Sequence, residues 1–282
     1  MPELPEVETV ARGLAAALKG RRIRDVRCRL PRILNAEESC FRDALRGRTV
    51  SRVLRHGKYI FLLFRQGSGV VFHLRMTGQA LLLPESQPVD RHTHLEILFH
   101  GGGRKLAYRD VRTFGRFELL EAEPGAFIEG KGLGPDALAI SAEQLYTRLH
   151  GTRRCLKAAL LDQRVLAGLG NIYTDEVLFR LRLSPTRACS SLNHKTVQAL
   201  AAGIREVLAR AIQEKGSSIS DYVDVQGAKG GFQSFLQVYG RAGKPCPRCR
   251  MVLARSRVAG RTTSYCPRCQ RAAAPARIGQ RR

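Results

Sequence analysis

The chain has 282 residues, of which 44% are hydrophobic, a size and composition typical of a globular protein with about two domains. It has no apolar run of about 18 residues and no basic start followed by an apolar stretch, so we expect neither a membrane span nor a secretory signal. We therefore expect a cytoplasmic location. Its 48 Lys and Arg against 24 Asp and Glu give a net charge of +24, which favours nucleic acid as the partner over an anionic membrane.

The first predicted element is a helix from Pro5 to Lys19. Its apolar residues recur at helical spacing and are Val7, Val10, Ala11, Leu14 and Leu18. Pro5 suits the first helical position, and Gly20 suits the stop. Over residues 20–120 the pattern changes to short β-rich segments separated by Gly and charged turns, which predicts an antiparallel sandwich or barrel.

The second half of the chain has a different composition. Residues 121–136 form a Gly-rich linker, and Leu and Ala then recur in a pattern that predicts a helical domain over residues 141–215. The stretch 217–233 is polar and Gly-rich, which is more typical of a mobile loop than of a packed element. A compact cysteine module and a basic tail follow.

Two CPRC motifs separated by sixteen residues predict a zinc site. Its ligands would be Cys246, Cys249, Cys266 and Cys269. Four thiolates complete a tetrahedron and leave no open position for chemistry, so we expect one zinc ion with a structural role. A redox pair of CxxC motifs is the alternative.

The segment GLGNIY at residues 168–173 suggests a dinucleotide-binding loop, but it follows a helical segment rather than a strand and lacks the full glycine fingerprint. We interpret it as a turn between two helices, in which Asn171 begins the second helix. Outward-facing N–H groups at such a helix start would bind one phosphate. A simple interhelical turn is the alternative.

The β-rich part contains three basic side chains whose roles the sequence pattern does not decide. His92 and His94 alternate on a predicted strand and point to one face. Because no third ligand lies at a convincing spacing, a phosphate-facing or core histidine is favoured over a metal site. Lys58 precedes an apolar strand, and spacing alone does not distinguish it from a solvated lysine.

Several motifs together resemble the formamidopyrimidine-DNA glycosylase family, and they occur in the family's order. They are MPELPEVET at the start, HGKY at 56–59, HLRMTG at 73–78, RTFGRF at 112–117, LDQ and GLGNIYTDE within 161–176, VYGR at 238–241 and the CPRC pair. The resemblance implies an α+β multidomain fold, with an N-terminal antiparallel β-sandwich that carries an N-terminal helix, a helix-two-turn-helix domain and a C-terminal β-hairpin zinc finger. The implied division is a catalytic β-sandwich domain at 1–125, a linker, the helix-two-turn-helix domain and a loop covering the damaged base at 126–240, the zinc finger at 241–270 and a disordered basic tail at 271–282.

The resemblance further implies a base-excision repair glycosylase that removes oxidised purines, such as 8-oxoguanine and formamidopyrimidines, and cleaves the strand by β,δ-elimination. The mature N-terminus in this family is proline, so Pro2 would form the Schiff base once Met1 is removed. If Met1 is retained, Pro2 is an amide and this role is lost. An α-amine suits the role, because its pKa is near ~8 rather than ~10.4 for lysine and more of it is unprotonated.

The same resemblance assigns roles to other residues. Glu3 would be the acid-base carboxylate, and Lys58 would contact phosphates and the damaged base and donate a proton in the β-elimination. Arg261, on the zinc hairpin, corresponds to an arginine associated with δ-elimination, so zinc would act indirectly by positioning it. For Glu6, fixing the N-terminus and a simple helix-dipole role are both open.

The resemblance also implies that the damaged base is flipped out of the duplex. Met76 and Phe114 would fill the void as apolar wedges, and Arg112 would donate to the orphaned cytosine. The expected phosphate contacts are His92, Asn171, Lys157, Arg153 and Arg154. The partner would be double-stranded DNA containing oxidised bases, and a monomer without membrane contact is expected from the family.

Two other functions stay open. An endonuclease VIII-type glycosylase would remove oxidised pyrimidines with the same proline, but that branch tends to have Gly where this chain has Leu4. A non-enzymatic DNA-binding protein is disfavoured by the intact set of Pro2, Glu3, Lys58 and Arg261. One departure from the family is Thr113, which stands where many relatives have a second arginine and predicts one weaker phosphate contact.

Overall fold

The computed structural model describes residues 1–271, so the predicted disordered tail after Arg271 lies outside the described residues. The N-terminal half contains α1 (Leu4–Leu18), β1 (Ile23–Cys28), α2 (Glu38–Leu45), β2 (Val50–His56), β3 (Tyr59–Phe64), β4 (Gly69–His73), β5 (Gly78–Pro84), β6 (Thr93–Phe99), β7 (Arg104–Asp110) and β8 (Arg116–Leu120). The strands form two four-stranded sheets in the orders β1-β6-β7-β5 and β2-β3-β4-β8. Every neighbouring pair of strands in them is antiparallel.

The two sheets and α1 share one hydrophobic core. The helix contributes Val10 and Leu14, one sheet contributes Phe72, and the other contributes Tyr108. This burial explains the helical spacing of apolar residues in α1, because that stripe faces the core. The arrangement confirms the expected α+β fold with antiparallel N-terminal sheets.

The C-terminal half is mainly helical. It contains α3 (Pro124–Gly130), α4 (Ala142–His150), α5 (Leu156–Leu161), α6 (Asn171–Arg180), α7 (His194–Gln213) and the antiparallel hairpin of β9 (Ala254–Val258) and β10 (Arg261–Tyr265). Residues such as Leu145, Leu160, Val177 and Leu200 form its separate core. No helix within residues 1–271 is long and apolar enough to cross a membrane.

Two local expectations differ from the structure. The first helix runs from Leu4 to Leu18, and the β-rich region also contains α2, which was not expected. This short helix buries only Phe41 and Leu45, so its apolar pattern is too brief to stand out among β-rich segments.

The stretch 217–233 is a packed loop, and the expectation that it is not a packed element is wrong. Tyr222 and Val225 are buried in the core of the N-terminal half. The Leu82 N–H donates to the Val225 carbonyl at 2.7 Å. Gly13 on α1 leaves room for Val225, because a Cβ at Gly13 would lie 2.5 Å from its Cγ2. Two apolar anchors therefore hold this polar segment on the sheets.

The start of α1 lies at the junction of the two halves. Leu4 belongs to the helical core, whereas Val7 belongs to the sheet core. The Leu4 N–H donates to the Gly168 carbonyl at 3.1 Å. Gly168 has φ of +116°, and a Cβ there would lie 2.4 Å from Leu4 Cδ1, so only glycine fits. The fold thus holds the N-terminus against the loop that precedes α6.

Candidate active site and nucleic-acid interface

Pro2 is buried at this junction and lines a cavity of about 90 Å³ together with Glu6, Ser217 and Tyr239. Met1 precedes Pro2, so the Pro2 nitrogen is an amide in this form of the chain. Burial lowers the pKa of the Met1 α-amine, and the nearby carboxylates oppose this. A larger cavity of about 520 Å³ lies between α6, α7 and the zinc finger and is lined by none of the expected catalytic residues.

Glu3 caps α6 from across the junction. Its carboxylate accepts hydrogen bonds from the N–H groups of Gly170 (2.9 Å), Ile172 (2.9 Å) and Tyr173 (3.3 Å). The expectation that the N–H groups of this helix start face outward is therefore wrong at these three positions. Burial raises the pKa of Glu3, whereas the charge of Lys58 and the three N–H donors lower it.

Gly170 permits this close approach. A Cβ at that position would lie 2.3 Å from Glu3 Cδ and 2.4 Å from Glu3 Oε1. The Gly170 backbone is extended, so the neighbouring carboxylate requires the glycine and the backbone conformation does not. The GLG pattern thus results from two approaches, Gly168 to Leu4 and Gly170 to Glu3, and not from a dinucleotide site.

Glu6 is the second buried carboxylate beside Pro2. It accepts hydrogen bonds from the Ser217 N–H (2.7 Å), the Glu3 N–H (2.7 Å) and the Tyr173 hydroxyl. Burial and the neighbouring Glu3 raise the pKa of Glu6 to about 7, although the Tyr173 and Ser217 donors oppose this. A carboxyl group with a pKa near neutrality can hold or release a proton at physiological pH.

Lys58 lies on the turn between β2 and β3 and is only 4% exposed, so it is not a solvated lysine. Burial lowers the pKa of Lys58, the carboxylates of Glu3 and Glu6 raise it, and the charge of Arg261 lowers it further. These interactions show that the structure brings Lys58 close to Glu3, Glu6 and Arg261.

The loops expected to enter DNA present exposed side chains. Met76 lies between β4 and β5, and Arg112 and Phe114 lie between β7 and β8. Phe114 is 47% exposed, and the Arg112 guanidinium lies 4.8 Å from the centre of its ring. Met76 and Phe114 line an open cavity of about 360 Å³ together with Met1. The structure therefore places both expected wedges beside the N-terminus.

Asp110, at the end of β7, supports both the loop between β4 and β5 and the loop between β7 and β8. Its fully buried carboxylate accepts hydrogen bonds from the Thr77 hydroxyl (2.5 Å), the Gly115 N–H (2.8 Å), the Tyr108 hydroxyl (3.1 Å) and the Arg112 N–H (3.2 Å). These partners come from both loops and from β7. One buried carboxylate thus fixes the two loops relative to each other.

The four expected zinc ligands lie together. The sulfur atoms of Cys246, Cys249, Cys266 and Cys269 are all within 4.8 Å of one another. Four thiolates at this spacing fit one tetrahedral zinc ion, and they leave no position for a substrate. The N–H groups of Arg248 and Cys269 point at two of the sulfurs at 3.4 Å and 3.3 Å, which favours the thiolate form that zinc requires.

Arg261 lies at the far end of the zinc hairpin. Ala259 and Gly260 form its two-residue turn, and both have positive φ, of 51° and 71°. Arg261 follows directly as an exposed residue at the start of β10. The Asn171 side chain donates to the neighbouring Thr262 carbonyl at 2.9 Å, which links the start of α6 to the hairpin.

Lys157 was expected to contact a DNA phosphate, and the structure contradicts this. Its side chain is completely buried and pairs with Asp175 at 2.5 Å. Its Nζ atom also lies 3.3 Å from the Thr262 carbonyl. A side chain enclosed in this way cannot reach a phosphate, and sequence reasoning could not distinguish it from the exposed arginines nearby.

Three other expected phosphate contacts remain accessible. Arg153 is exposed, and Arg154 is about half exposed although it pairs with Asp162 at 2.7 Å. His92 is half-buried before β6, where its N–H donates to Asp90. The buried His94 instead bonds the Asp110 carbonyl at 2.8 Å, which fits the core histidine that was considered.

Several supporting residues were missed from the sequence. Asp136 accepts the Gly57 N–H at 2.7 Å and pairs with Arg55, and these contacts hold the turn that carries Lys58. His73 lies near Lys58, and burial and the charges of Arg75 and Lys58 lower its pKa to about 3, so it is neutral at physiological pH. For His73 alone a signal existed, because it begins the quoted HLRMTG motif.

Comparison with known families agrees with this arrangement. Three family models match consecutive parts of the chain. They are the formamidopyrimidine-DNA glycosylase N-terminal domain over residues 1–117, the formamidopyrimidine-DNA glycosylase H2TH domain over residues 132–223, and the zinc finger found in FPG and IleRS over residues 243–272. Together with the four sulfurs, the last match confirms the expectation of one zinc ion.

Individual proteins match nearly the whole chain. The formamidopyrimidine-DNA glycosylase of Carboxydothermus hydrogenoformans is 42% identical over 262 residues, which cover 92% of this chain and 95% of that protein. The formamidopyrimidine-DNA glycosylase of Heliobacterium modesticaldum is 46% identical over 266 residues, covering 92% and 96%. A Lactococcus lactis FPG mutant solved with Fapy-dG containing DNA has a TM-score of 0.89 and 34% identity, covering 96% of this chain and 100% of that one. The same values apply to Lactococcus lactis Fpg solved with DNA containing an abasic site.

Proposed function

This chain belongs to the formamidopyrimidine-DNA glycosylase family, and we propose that it performs the chemistry of that family with Pro2 as the nucleophile. It is a DNA glycosylase and AP lyase that acts on oxidised purines such as 8-oxoguanine and formamidopyrimidines. One observation carries the assignment of residues. Pro2 is buried beside two buried carboxylates, Glu3 and Glu6, and Lys58 lies close enough to interact electrostatically with both of them.

Base removal begins with the Pro2 amine, which exists only after Met1 is removed. Burial lowers the pKa of the Met1 α-amine beside this site, and the same desolvation would act on the buried Pro2 amine and favour the neutral nucleophile. The nitrogen attacks C1′ of the damaged nucleotide, the glycosidic bond breaks, and the base leaves with the electron pair. Glu3 then supplies a proton to the sugar ring oxygen as the ring opens, and the nitrogen loses its own proton and becomes an iminium.

Strand cleavage follows from the iminium, which withdraws electrons from C2′. The Glu3 carboxylate, which has given up its proton to the sugar, accepts the C2′ proton, and rupture of the C3′–O bond releases the 3′ phosphate. Lys58 is the proposed proton donor in this step, because burial lowers its pKa toward the working range of a general acid. In the δ-elimination a further proton is lost and the C5′–O bond breaks. Arg261 would bind the phosphate that leaves.

The exposed loops would hold the distorted duplex. Met76 and Phe114 lie beside the N-terminus and would fill the space left by the flipped base, while Arg112 would bond the unpaired cytosine. His92, Asn171, Arg153 and Arg154 remain the proposed phosphate contacts. The net charge of +24 supports strongly salt-dependent binding.

The relatives described above carry the formamidopyrimidine name, which supports oxidised purines over the endonuclease VIII-type alternative of oxidised pyrimidines. We also propose a cytoplasmic monomer. The division into 1–125, 126–240 and 241–270 is a proposal as well, and the separate sheet and helical cores support its first boundary.

Replacement of Pro2 tests the proposed nucleophile. Pro2→Gly should lose most strand cleavage at an abasic site, because the secondary amine that forms the iminium is gone. The assay is single-turnover cleavage of a duplex with one abasic site, with the N-terminal residue verified by mass spectrometry. Pro124→Gly, at the start of α3, is the matched control and should cleave normally. Normal cleavage by Pro2→Gly would reject Pro2 as the nucleophile.

Removal of one zinc ligand tests the role of the metal. Cys249→Ser should lose zinc and duplex binding together, because the hairpin that carries Arg261 depends on the four-sulfur site. Zinc content and fluorescence-based DNA binding are measured on the same sample. The exposed Cys40 provides the control variant, Cys40→Ser, which should retain both. Unchanged DNA affinity after confirmed zinc loss would contradict the proposal.

A further inference from the structure

A buried ion pair lies beneath the zinc hairpin, outside the machinery described so far. Lys157 on α5 and Asp175 on α6 pair at 2.5 Å, and their side chains are 0% and 1% exposed. Removing water from two charges is costly, so a buried ion pair is stable only when further hydrogen bonds satisfy its remaining donors and acceptors. Replacing one partner alone would leave an uncompensated buried charge.

Those further bonds go to β10. Asp175 Oδ2 accepts the Ser264 N–H at 3.0 Å, and Lys157 Nζ donates to the Thr262 carbonyl at 3.3 Å. The Asn171 side chain donates to the same carbonyl at 2.9 Å. Three side chains of the helical domain therefore hold the backbone on the C-terminal side of Arg261.

Zinc alone cannot fix this end of the hairpin. Its ligand Cys266 follows β10, whereas Arg261 begins that strand next to the turn. A two-stranded hairpin is marginally stable by itself, so its turn end needs a second support. The contacts to Thr262 and Ser264 supply that support from α5 and α6.

We propose that Lys157 and Asp175, assisted by Asn171, form a clamp that positions Arg261 for δ-elimination. Lys157 and Asp175 touch neither substrate nor reacting atoms, so they are positioning residues. This inference rests on the proposed function, because the role of Arg261 in δ-elimination is part of that proposal. Lys157 thus has a positioning role in place of the phosphate contact that was expected of it.

The test is the ratio of δ- to β-elimination products from a duplex with one abasic site. Lys157→Met with Asp175→Asn removes both charges, while Asn keeps an oxygen for the Ser264 N–H. The ratio should fall about tenfold or more, because small misplacement of a reacting group costs this much. Zinc content, borohydride adduct formation and the β-elimination rate should stay close to those of the unmodified protein.

A matched control removes another buried pair far from the hairpin. Glu96 and Lys105 pair at 2.8 Å on the N-terminal sheet, and Glu96→Gln with Lys105→Met should leave the product ratio unchanged. If the clamp variant does not fold, Asn171→Ala removes one donor to Thr262 without burying a charge and should shift the ratio in the same direction. Because Asn171 is also a proposed phosphate contact, the ratio is measured with the duplex saturated by protein, so that weaker binding alone does not change it.

The outcomes separate the possible failures. A normal ratio in the folded, zinc-loaded clamp variant overturns the clamp, and so does an equal loss of both products, which would indicate a general structural role. Arg261→Ala is measured in parallel. If Arg261→Ala lowers the ratio and the clamp variant does not, the clamp alone is rejected. If Arg261→Ala leaves the ratio normal, the proposed role of Arg261 is rejected, and the clamp with it.

Discussion

The catalytic centre and the DNA-probing loops differ sharply in exposure but share one structural device. Glu3 is 3% exposed and Phe114 is 47% exposed. Reacting groups need a fixed site with little water, whereas a wedge must project into the duplex. Yet each region rests on a buried carboxylate that collects backbone N–H groups, Glu3 at the start of α6 and Asp110 beneath the loops. Disturbing one carboxylate should therefore damage one region and spare the other.

The largest effect is expected from Gly170→Ala, which breaks the catalytic centre. The new Cβ would lie 2.3 Å from Glu3 Cδ, so the carboxylate must move away from its N–H donors. Base release should slow about 100-fold or more, the usual contribution of a positioned acid-base group. Single-turnover release of 8-oxoguanine from a duplex measures it.

The control for that substitution is Gly125→Ala, where an added Cβ meets no atom within 4 Å. This variant should release the base at the normal rate. Duplex affinity should be nearly unchanged in both variants, because the loops keep their support on Asp110. A normal rate of base release in folded Gly170→Ala would show that the position of Glu3 is not critical.

A smaller effect is expected from Asp110→Asn, which breaks the loops. The asparagine NH₂ group cannot accept the hydrogen bonds that the replaced Asp110 oxygen accepts. At least one buried hydrogen bond is therefore lost, which costs about 1–3 kcal/mol. Base release from duplex DNA should fall about tenfold, because about 1.4 kcal/mol corresponds to that factor. Cleavage of a single-stranded abasic oligonucleotide should be unaffected, since no partner base has to be displaced.

Asp43→Asn, on the surface of α2, is the matched control and should leave both reactions unchanged. Equal losses on duplex and single-stranded DNA by Asp110→Asn would contradict a role confined to the loops. Such a result would mean that the two regions are not separately supported.

A third prediction concerns the pH dependence of stability and leaves both regions in place. Burial and Glu3 raise the pKa of Glu6 to about 7 in the folded chain, above its unfolded value, so the protonated form favours folding. This contribution is full below the unfolded pKa and is lost as pH rises toward the folded one. Between pH 5 and pH 8 the unmodified protein should lose ~2 kcal/mol of unfolding free energy relative to Glu6→Gln. Urea denaturation at both pH values measures this difference.

The control for this measurement is Glu8→Gln. Burial opposes ionisation of Glu8, but its bonds to Arg55 and Arg12 outweigh this and lower its pKa, so its contribution has the opposite sign. The unmodified protein should lose stability relative to Glu8→Gln as pH falls toward the ordinary carboxyl range. Identical pH profiles for Glu6→Gln and the unmodified protein would reject the raised pKa of Glu6.

The elements and sites that depend on the spacing of nearby residues could be predicted from the sequence. The helix at the N-terminus follows from its apolar stripe, and the zinc site follows from the spacing of Cys246, Cys249, Cys266 and Cys269. The sheets follow from alternating apolar segments, and their class is confirmed. Motif resemblance then named the residues that the fold brings around Pro2.

Contacts between distant residues could not be predicted. Gly170 and Glu3 are 167 positions apart, so the need for glycine appears only when the two meet. Lys157 and Arg154 are equally basic in the sequence, but one is buried against Asp175 and the other is exposed. The polar loop at 217–233 likewise hid two anchors, Tyr222 and Val225, among residues typical of mobile segments.

The most direct test of Pro2 as the nucleophile is borohydride trapping on a duplex with one 8-oxoguanine opposite cytosine, using protein whose Met1 has been removed. The adduct is digested and mapped by mass spectrometry. We expect a covalent link at the Pro2 nitrogen, because borohydride reduces the iminium formed there to a stable amine. A link at Lys58, or no link with Pro2 confirmed as the N-terminus, would contradict it.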